Sequence, residues 1–211
     1  MEPITLTTGR LLLRTFTDED TEEVFRLCQD PAVQRWTTIP SPYERRHAEE
    51  FIGEIAPEGW RTSTMFTFAV TPLDGGPPMA SSSVTLRALS GIWEIGFWLG
   101  AEYRGRGIMT EAVGELARWS FTRLGATRLE WRAEAGNTAS RAVALRAGFT
   151  MEGTLRAALD NNGTLRDAWV GSLLPSDVGL AGARAYLPAP GPAAPGPAAP
   201  SSQGHDLPPA P

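Results

Sequence analysis

Residues 102–112, EYRGRGIMTEA, place two arginines and two glycines directly before a segment with helical periodicity. A glycine-rich loop that leads into a helix presents unpaired backbone N–H groups and the positive end of the helix dipole at one point. Gly105 and Gly107 would let the backbone approach a ligand closely, and Arg104 and Arg106 would add positive charge beside it. The pattern favours a site for a phosphate-like anion, although the loop alone is equally consistent with a solvated turn.

Glu94 is a second candidate, because it is the only charged residue in the apolar segment IWEIGFWL, residues 92–99. A carboxylate among apolar side chains has a raised pKa, which suits a group that accepts protons near neutral pH. The alternative is that Glu94 forms an ion pair with an arginine of a neighbouring strand, such as Arg132. The sequence leaves both interpretations open.

Hydrophobic periodicity and turn signals predict the elements that would position these residues. Strands are predicted over residues 10–16, 63–71, 79–89, 92–99, 127–134, 151–159 and 165–173. Helices are predicted over residues 18–30, 44–55 and 108–124, with a shorter one that begins near residue 137. The fold class is therefore α/β (α+β), a mixed and mostly antiparallel sheet of about seven strands flanked by about four helices. A parallel crossover is expected around the glycine-rich loop.

Composition excludes several classes of function. The net charge of −5 argues against non-specific nucleic-acid binding, and a single cysteine, Cys28, excludes a disulfide framework or a cysteine-based zinc site. The two histidines, His47 and His205, are far apart, so no metal is expected. No apolar run approaches the roughly 18 residues of a membrane span, and the start MEPITL does not resemble a signal peptide. We therefore expect a cytoplasmic protein with neither a membrane nor a nucleic-acid partner.

Proline marks a change of composition near the C-terminus. The last 24 residues hold nine of the eighteen prolines, and such a segment has almost nothing to bury. We predict a folded domain over residues 1–180 and a disordered Pro/Ala-rich tail over 181–211.

A second motif, AGNTASRAVALRAGF, follows the strand predicted over residues 127–134. With it, the chain from RLLLRTFTDED to SLLPSD resembles the GNAT-type N-acyltransferases that use acyl-coenzyme A, and most of all their RimJ/RimL-like branch. The resemblance implies a pyrophosphate-binding loop over Arg104, Gly105, Arg106, Gly107, Ile108 and Met109, with Thr110 directly after it. Met109 departs from the general pattern, which has Gly or Ala there.

The same resemblance assigns the remaining cofactor-binding residues. It implies that the strand end Phe97, Trp98 and Leu99 pairs with the pantetheine arm, that Asn137 bonds this arm, and that Ser140 lies near the thioester sulfur. Glu94 would be the catalytic base and Ser140 the catalytic acid. Ordered water could carry the proton instead of Glu94, and Ser140 could simply bond the backbone in the first turn of its helix.

The acceptor is the least defined part of the prediction. Trp36 and Tyr43 could wall an acceptor pocket, or both could be core aromatics. The resemblance implies acetyl-CoA or another acyl-CoA as co-substrate, no metal, and an amine-bearing small molecule or a protein N-terminus as acceptor. Homodimers are common among such enzymes, although no sequence pattern indicates a dimer interface in this chain.

Two other classes of function compete with the transferase. One is a non-catalytic acyl-CoA-binding regulatory module that keeps the loop without a working base. The other is a nucleotide-binding domain, although the loop lacks both the Lys-Ser or Lys-Thr pair of a P-loop and the third glycine of the dinucleotide fingerprint.

Overall fold

A computed structural model of the chain describes residues 1–87 and 91–189. The strands in this part of the chain are β1 (Leu6–Thr7), β2 (Leu11–Arg14), β3 (Met65–Pro72), β4 (Ala80–Leu86), β5 (Ile92–Leu99), β6 (Arg128–Glu134), β7 (Thr150–Asn161) and β8 (Thr164–Leu173). They form one sheet in the order β1-β2-β3-β4-β5-β6-β8-β7, in which only the β5–β6 pair is parallel. The predicted fold class is confirmed, and the strand beyond the seven predicted ones is the two-residue β1.

The helices of the described residues are α1 (Thr21–Leu27), α2 (Pro31–Trp36), α3 (Arg45–Glu50), α4 (Ala56–Thr62), α5 (Ile108–Arg123) and α6 (Thr138–Arg146). None of them is long and apolar enough to span a membrane. From residue 190 onward the predicted tail lies outside the described residues, as does the end of the strand predicted over 79–89. Residues 181–189 are exposed and form neither helix nor strand.

Two helices differ from the prediction for local reasons. The helix predicted over 18–30 ends as α1 at Leu27, and Pro31 opens the new helix α2. Proline suits the first turn of a helix, and the Asp30 side chain caps α2 by accepting a hydrogen bond from the Ala32 N–H at 2.6 Å. The helix predicted over 44–55 continues through a π-helical turn, Phe51–Ile55, into α4.

The main core lies between the sheet and α4, α5 and α6. Its centre is an aromatic cluster, in which Trp60 of α4 packs against Phe66 and Phe68 of β3 and Trp119 of α5. The ring centroids of Trp60 and Phe66 are 4.8 Å apart at 72°, an edge-to-face contact. This cluster fixes α5 against the centre of the sheet.

A second, smaller core joins α1, α2 and α3 to the opposite side of β5. It contains Val24, Val33 and Ile52, and Trp98 of β5 packs against it. Phe97 and Leu99, the neighbours of Trp98, pack against the main core instead. The alternation of side chains along β5 thus holds one helical layer on each face of the sheet.

Strands β5 and β6 pair over only half of their length. Their parallel register runs from Ile92 opposite Arg128 to Ile95 opposite Trp131. Beyond it β5 continues along β4 to Leu99, whereas β6 continues along β8 to Glu134. The carboxyl halves of the two strands therefore separate, and we call this opening the split.

The sequence DNNG, residues 160–163, forms the tip of the β7–β8 hairpin. Asn162 and Gly163 link the strands with φ angles of 50° and 74°. Positive φ at both central residues is typical of a type I′ turn, which Asn-Gly favours.

Helix α5 supplies a matched pair of stability tests. A Cβ added at Gly114 would meet no heavy atom within 4 Å, so Gly114→Ala should stabilise the protein by up to about 1 kcal/mol through helix propensity. Leu116, two residues further, is fully buried, and Leu116→Ala should cost about 2–5 kcal/mol. Urea unfolding measures both, and a destabilising Gly114→Ala would contradict the helix packing described here.

Candidate active site

Two cavities meet at the split. The first, the inner cavity, has a volume of about 330 Å³ and includes Glu94, Arg132 and the hydroxyl residues Thr67, Ser81 and Ser83 in its wall. The second, the outer cavity, has a volume of about 360 Å³ and includes Leu99, Arg104, Gly105, Met109, Val143 and Arg146. Both cavities are lined by Trp36, Thr37, Phe97, Trp98, Asn137 and Ser140. A ligand in one cavity would therefore lie next to a ligand in the other.

The glycine-rich loop borders the outer cavity. Gly105 and Gly107 have φ angles of 76° and 74°, in the left-handed region that favours glycine. The first backbone hydrogen bond of α5 runs from the Glu111 N–H to the Gly107 carbonyl at 3.0 Å. The preceding N–H groups, of Ile108, Met109 and Thr110, are those that a helix start leaves without a carbonyl partner. They donate no hydrogen bond within the described residues, so the loop keeps the donors and positive end of the dipole that an anion needs.

The side chains of the loop are placed differently from one another. Arg104 lines the outer cavity, where it pairs with Asp30 at 2.7 Å and donates to the Leu99 carbonyl at 3.2 Å. Arg106 is exposed and lines neither cavity. Ile108 and Met109 are buried in the main core, and of the two only Met109 reaches the outer cavity. The structure therefore brings Arg104, but not the Arg106 side chain, to the predicted anion site.

Asn137 and Ser140 are joined at the start of α6. The Asn137 Oδ1 atom caps the helix by accepting a hydrogen bond from the Ser140 N–H at 3.1 Å. The Ser140 Oγ atom accepts a hydrogen bond from the Trp131 Nε1–H at 3.0 Å. Because indole can only donate, this bond leaves the proton of the Ser140 hydroxyl free to be donated into the cavities. The hydroxyl thus bonds an indole rather than the backbone.

Glu94 combines the two interpretations that the sequence left open. Its Oε2 atom lies 3.1 Å from Arg87 Nη1 and 3.7 Å from Arg132 Nε. Burial raises the pKa of the Glu94 carboxyl above its usual value, and the positive charges of Arg87 and Arg132 oppose this rise. Glu94 is therefore both a half-buried carboxylate and the partner of an arginine on the neighbouring strand.

The two predicted acceptor aromatics are placed differently. Trp36, at the end of α2, lines both cavities. Tyr43 is 6% exposed and belongs to the second core, and it lines neither cavity. In this structure Tyr43 is a core aromatic, because the α2–α3 connection folds it inward among the helices.

Sequence reasoning missed Glu134 as part of the site. This buried carboxylate at the end of β6 accepts two hydrogen bonds from Arg35, at 2.6 and 2.7 Å, and one from Asn161 at 3.2 Å. The Arg35 guanidinium holds the pKa of Glu134 below its usual range. The contact ties α2, and with it Trp36, to the edge of the split. Arg35 and Glu134 are 99 residues apart, so no local signal could have joined them.

Within the described residues, no group of three or more His, Cys, Asp or Glu side chains is arranged to hold a metal ion.

Comparison with known proteins identifies the family. The acetyltransferase (GNAT) domain family matches residues 10–150, which is most of the chain before the tail. The chain belongs to the GNAT acetyltransferase family. The uncharacterized N-acetyltransferase p20 of Bacillus licheniformis is 30% identical over 174 residues, which cover 81% of this chain and 96% of p20. The predicted family and enzyme class, an acyltransferase of the N-acetyltransferase type, are thus confirmed.

Solved structures of GNAT proteins share the fold. RimJ of Mycobacterium smegmatis in complex with CoA-disulfide superposes with a TM-score of 0.73 at 23% identity, covering 85% of this chain and 92% of RimJ. RimL, a ribosomal L7/L12 α-N-protein acetyltransferase in complex with coenzyme A, gives a TM-score of 0.72 at 20% identity. That match covers 82% of this chain and 98% of RimL. This GNAT protein thus shares its fold with these two solved structures.

The carboxylates Glu94 and Glu134 should show opposite pH dependence, because their pKa values are shifted in opposite directions. Wild type should lose stability relative to Glu94→Gln as pH rises, because a raised pKa favours the protonated folded state. Its Glu94 contribution is complete below the unfolded pKa of about 4.3 and is lost as pH rises through the folded pKa. The difference should amount to about 1.4 kcal/mol for each unit of pKa change.

Glu134→Gln is the matched control, because its pKa is lowered. Wild-type stability relative to this variant should be present above about pH 4.3 and fall as the solution is acidified through the folded pKa. Urea unfolding of the three proteins between roughly pH 3 and pH 8 measures both slopes. Slopes of the same sign would contradict the assigned environments.

Proposed function

We propose that this GNAT protein transfers an acyl group, in the first instance acetyl, from the CoA thioester to a primary amine. The observation that carries the proposal is the junction of two cavities at the split, where Ser140 and Phe97 border both. The outer cavity has the chemistry of a cofactor site, and the inner cavity contains the half-buried Glu94 carboxylate. A donor and an acceptor could therefore meet at their shared wall.

The outer cavity fits coenzyme A at several points. The unbonded N–H groups at the start of α5 would hold the pyrophosphate, with Arg104 beside them. A Cβ built at Gly105 meets no heavy atom within 4 Å, so the loop leaves room for a bulky anion. Phe97–Leu99 no longer pairs with β6, and this strand edge would accept the pantetheine arm as an added strand. Asn137 would bond the same arm.

Ser140 and Glu94 would divide the proton transfers. The amine nitrogen forms a bond to the thioester carbonyl carbon, and the carbon–sulfur bond breaks. Glu94 would take the proton that the amine loses, since its raised pKa makes it a better base than an exposed carboxylate. Ser140, whose hydroxyl proton is not used by Trp131, would donate a hydrogen bond to the departing sulfur, which leaves as a thiolate. Holding the two reactants together would supply much of the remaining rate.

The acceptor that we propose is the amine of a protein N-terminus or of a small molecule. RimL, which shares the fold, is described as an α-N-protein acetyltransferase, and this supports a protein acceptor. The inner cavity, at about 330 Å³, suits a small amine or the first residue of a chain rather than a folded surface. Trp36 would be its aromatic wall.

The first test concerns the base. Glu94→Gln should lower turnover by about 10²- to 10⁴-fold while the dissociation constant of acetyl-CoA stays unchanged, because the carboxylate faces the inner cavity only. Thiol release with a panel of amines gives the turnover, and calorimetry gives the affinity. Ser140→Ala should slow turnover both in the wild-type protein and in the Glu94→Gln variant. Full activity in Glu94→Gln would assign the proton transfer to water.

The second test concerns the cofactor. Acetyl-CoA at a hundredfold excess over its dissociation constant should stabilise the folded protein by about 2.7 kcal/mol. ATP at the same concentration should give a smaller shift, because it lacks the pantetheine arm that would pair with Phe97–Leu99. Thermal unfolding measures both shifts. Equal stabilisation by the two ligands would favour a nucleotide-binding domain, and absence of thiol release with every amine would favour an acyl-CoA-binding module.

A further inference from the structure

The inner cavity has an unusual balance of charge for an amine site. Glu94 and Arg132 are the only charged residues that line it within the described part of the chain. Arg87 lies against the same Glu94 oxygen. One carboxylate therefore faces two arginines, and the helical side of the cavity adds only neutral residues such as Trp36, Ile39 and Phe51.

Arg132 is held in place from the side away from the cavity. Its Nη2 atom donates to Glu130 Oε2 at 2.9 Å, and Glu130 also accepts from Arg128 Nε at 3.2 Å. Arg128 in turn pairs with Glu152 on β7. Because the planar guanidinium is fixed at one corner by this chain of ion pairs, its remaining edge has a defined direction.

The remaining edge of Arg132 faces Glu94 without a hydrogen bond. Arg132 Nε and Glu94 Oε2 are both buried and have no hydrogen-bond partner, although they are only 3.7 Å apart. Arg132 Nη1 and Glu94 Oε1 likewise form no hydrogen bond to any described residue. The pair therefore has two donor atoms, Arg132 Nε and Nη1, beside two acceptor atoms, Glu94 Oε1 and Oε2, that form no hydrogen bond with the described residues.

We propose that Glu94 and Arg132 together select the acceptor by two-point recognition, and this inference rests on the proposed transferase function. The acceptor is a compound with a single amine and an oxygen on the neighbouring carbon, such as an α-amino amide, an α-amino acid or a 1,2-amino alcohol. The amine lies against Glu94, and the oxygen accepts from Arg132. Arg132 is thereby a specificity-determining residue.

Two other acceptor classes fit this cavity poorly. A polyamine would place its additional positive charges near Arg87 and Arg132, and Glu94 is the one carboxylate among the described residues that line the cavity. A plain alkylamine would remove water from the Arg132 donors without replacing its hydrogen bonds, which is costly for a charged group. The hydroxyl groups of Ser81 and Ser83 make the same wall polar.

The test compares matched acceptors in matched variants. Glycinamide and isobutylamine have the same shape, but only glycinamide carries the oxygen, and spermidine represents the polyamines. For each amine, kcat/KM is measured by thiol release from acetyl-CoA and divided by the free-base fraction. The wild-type protein should prefer glycinamide over isobutylamine by about 10- to 100-fold, the value of a hydrogen bond to a charged group.

Arg132→Met should abolish this preference, whatever rate it retains with isobutylamine. The ratio of the two acceptors cancels any change in the strength of the base, since both amines use Glu94. Arg132→Lys, which keeps the positive charge but not the planar guanidinium, should give an intermediate ratio of the two acceptors. Arg123→Met, at the exposed end of α5, is the control and should keep the wild-type ratio. Circular dichroism and acetyl-CoA affinity verify that each variant is folded.

The outcomes separate the acceptor inference from the transferase function. An unchanged ratio in folded Arg132→Met, or spermidine as the best acceptor, would overturn the role of Arg132 while leaving the transferase intact. Thiol release with none of the amines would overturn the proposed transferase function, and the acceptor inference with it. Loss of the preference for glycinamide in Arg132→Met, with the wild-type preference kept in Arg123→Met, supports both the transferase function and the acceptor inference.

Discussion

The short parallel register between β5 and β6 is the constraint on which the rest of the site depends. Each strand pairs over a longer stretch with its other neighbour, since β5 stays paired with β4 to Leu99 and β6 stays paired with β8 to Glu134. The strands can therefore share only the stretch from Ile92 to Ile95 before they separate. The separation leaves backbone groups without strand partners, a state that a folded protein tolerates where a ligand or water can bond them. It also places the start of α6 at the mouth of the gap.

The polar wall around the split is organised by arginine–carboxylate contacts rather than by apolar packing. Buried ion pairs are weak evidence for stability, because the cost of removing two charges from water can exceed their attraction. In this site the ion pairs matter because they fix the positions of neighbouring elements and side chains. The Arg35–Glu134 contact joins α2 to β6, and the contacts of Glu130 fix the direction of Arg132. Each fixed guanidinium leaves a neighbouring group, Trp36 or Glu94, at a defined place beside the cavities.

The sequence predicted those features that depend on local patterns. The apolar segment 92–99 and the alternation of residues 127–134 predicted both strands that border the split, and Asn-Gly at 162–163 is typical of the hairpin turn found there. The helix predicted over 18–30 stops before Pro31, yet the Asp30 cap makes this proline the start of another helix. The inward position of Tyr43, the outward position of Arg106 and the bond from Trp131 to Ser140 depend on tertiary packing. No spacing within the sequence carries that information.

The wall shared by the two cavities has a thermodynamic consequence. Trp36, Thr37 and Phe97 border both cavities, so a ligand that orders them for one cavity alters the surface that the other ligand meets. Linkage requires such an effect to be reciprocal: whatever factor the donor contributes to the affinity of the acceptor, the acceptor returns to the donor. Ligands in the two cavities would therefore be coupled through this shared wall, and neither binding constant would be a property of one cavity alone.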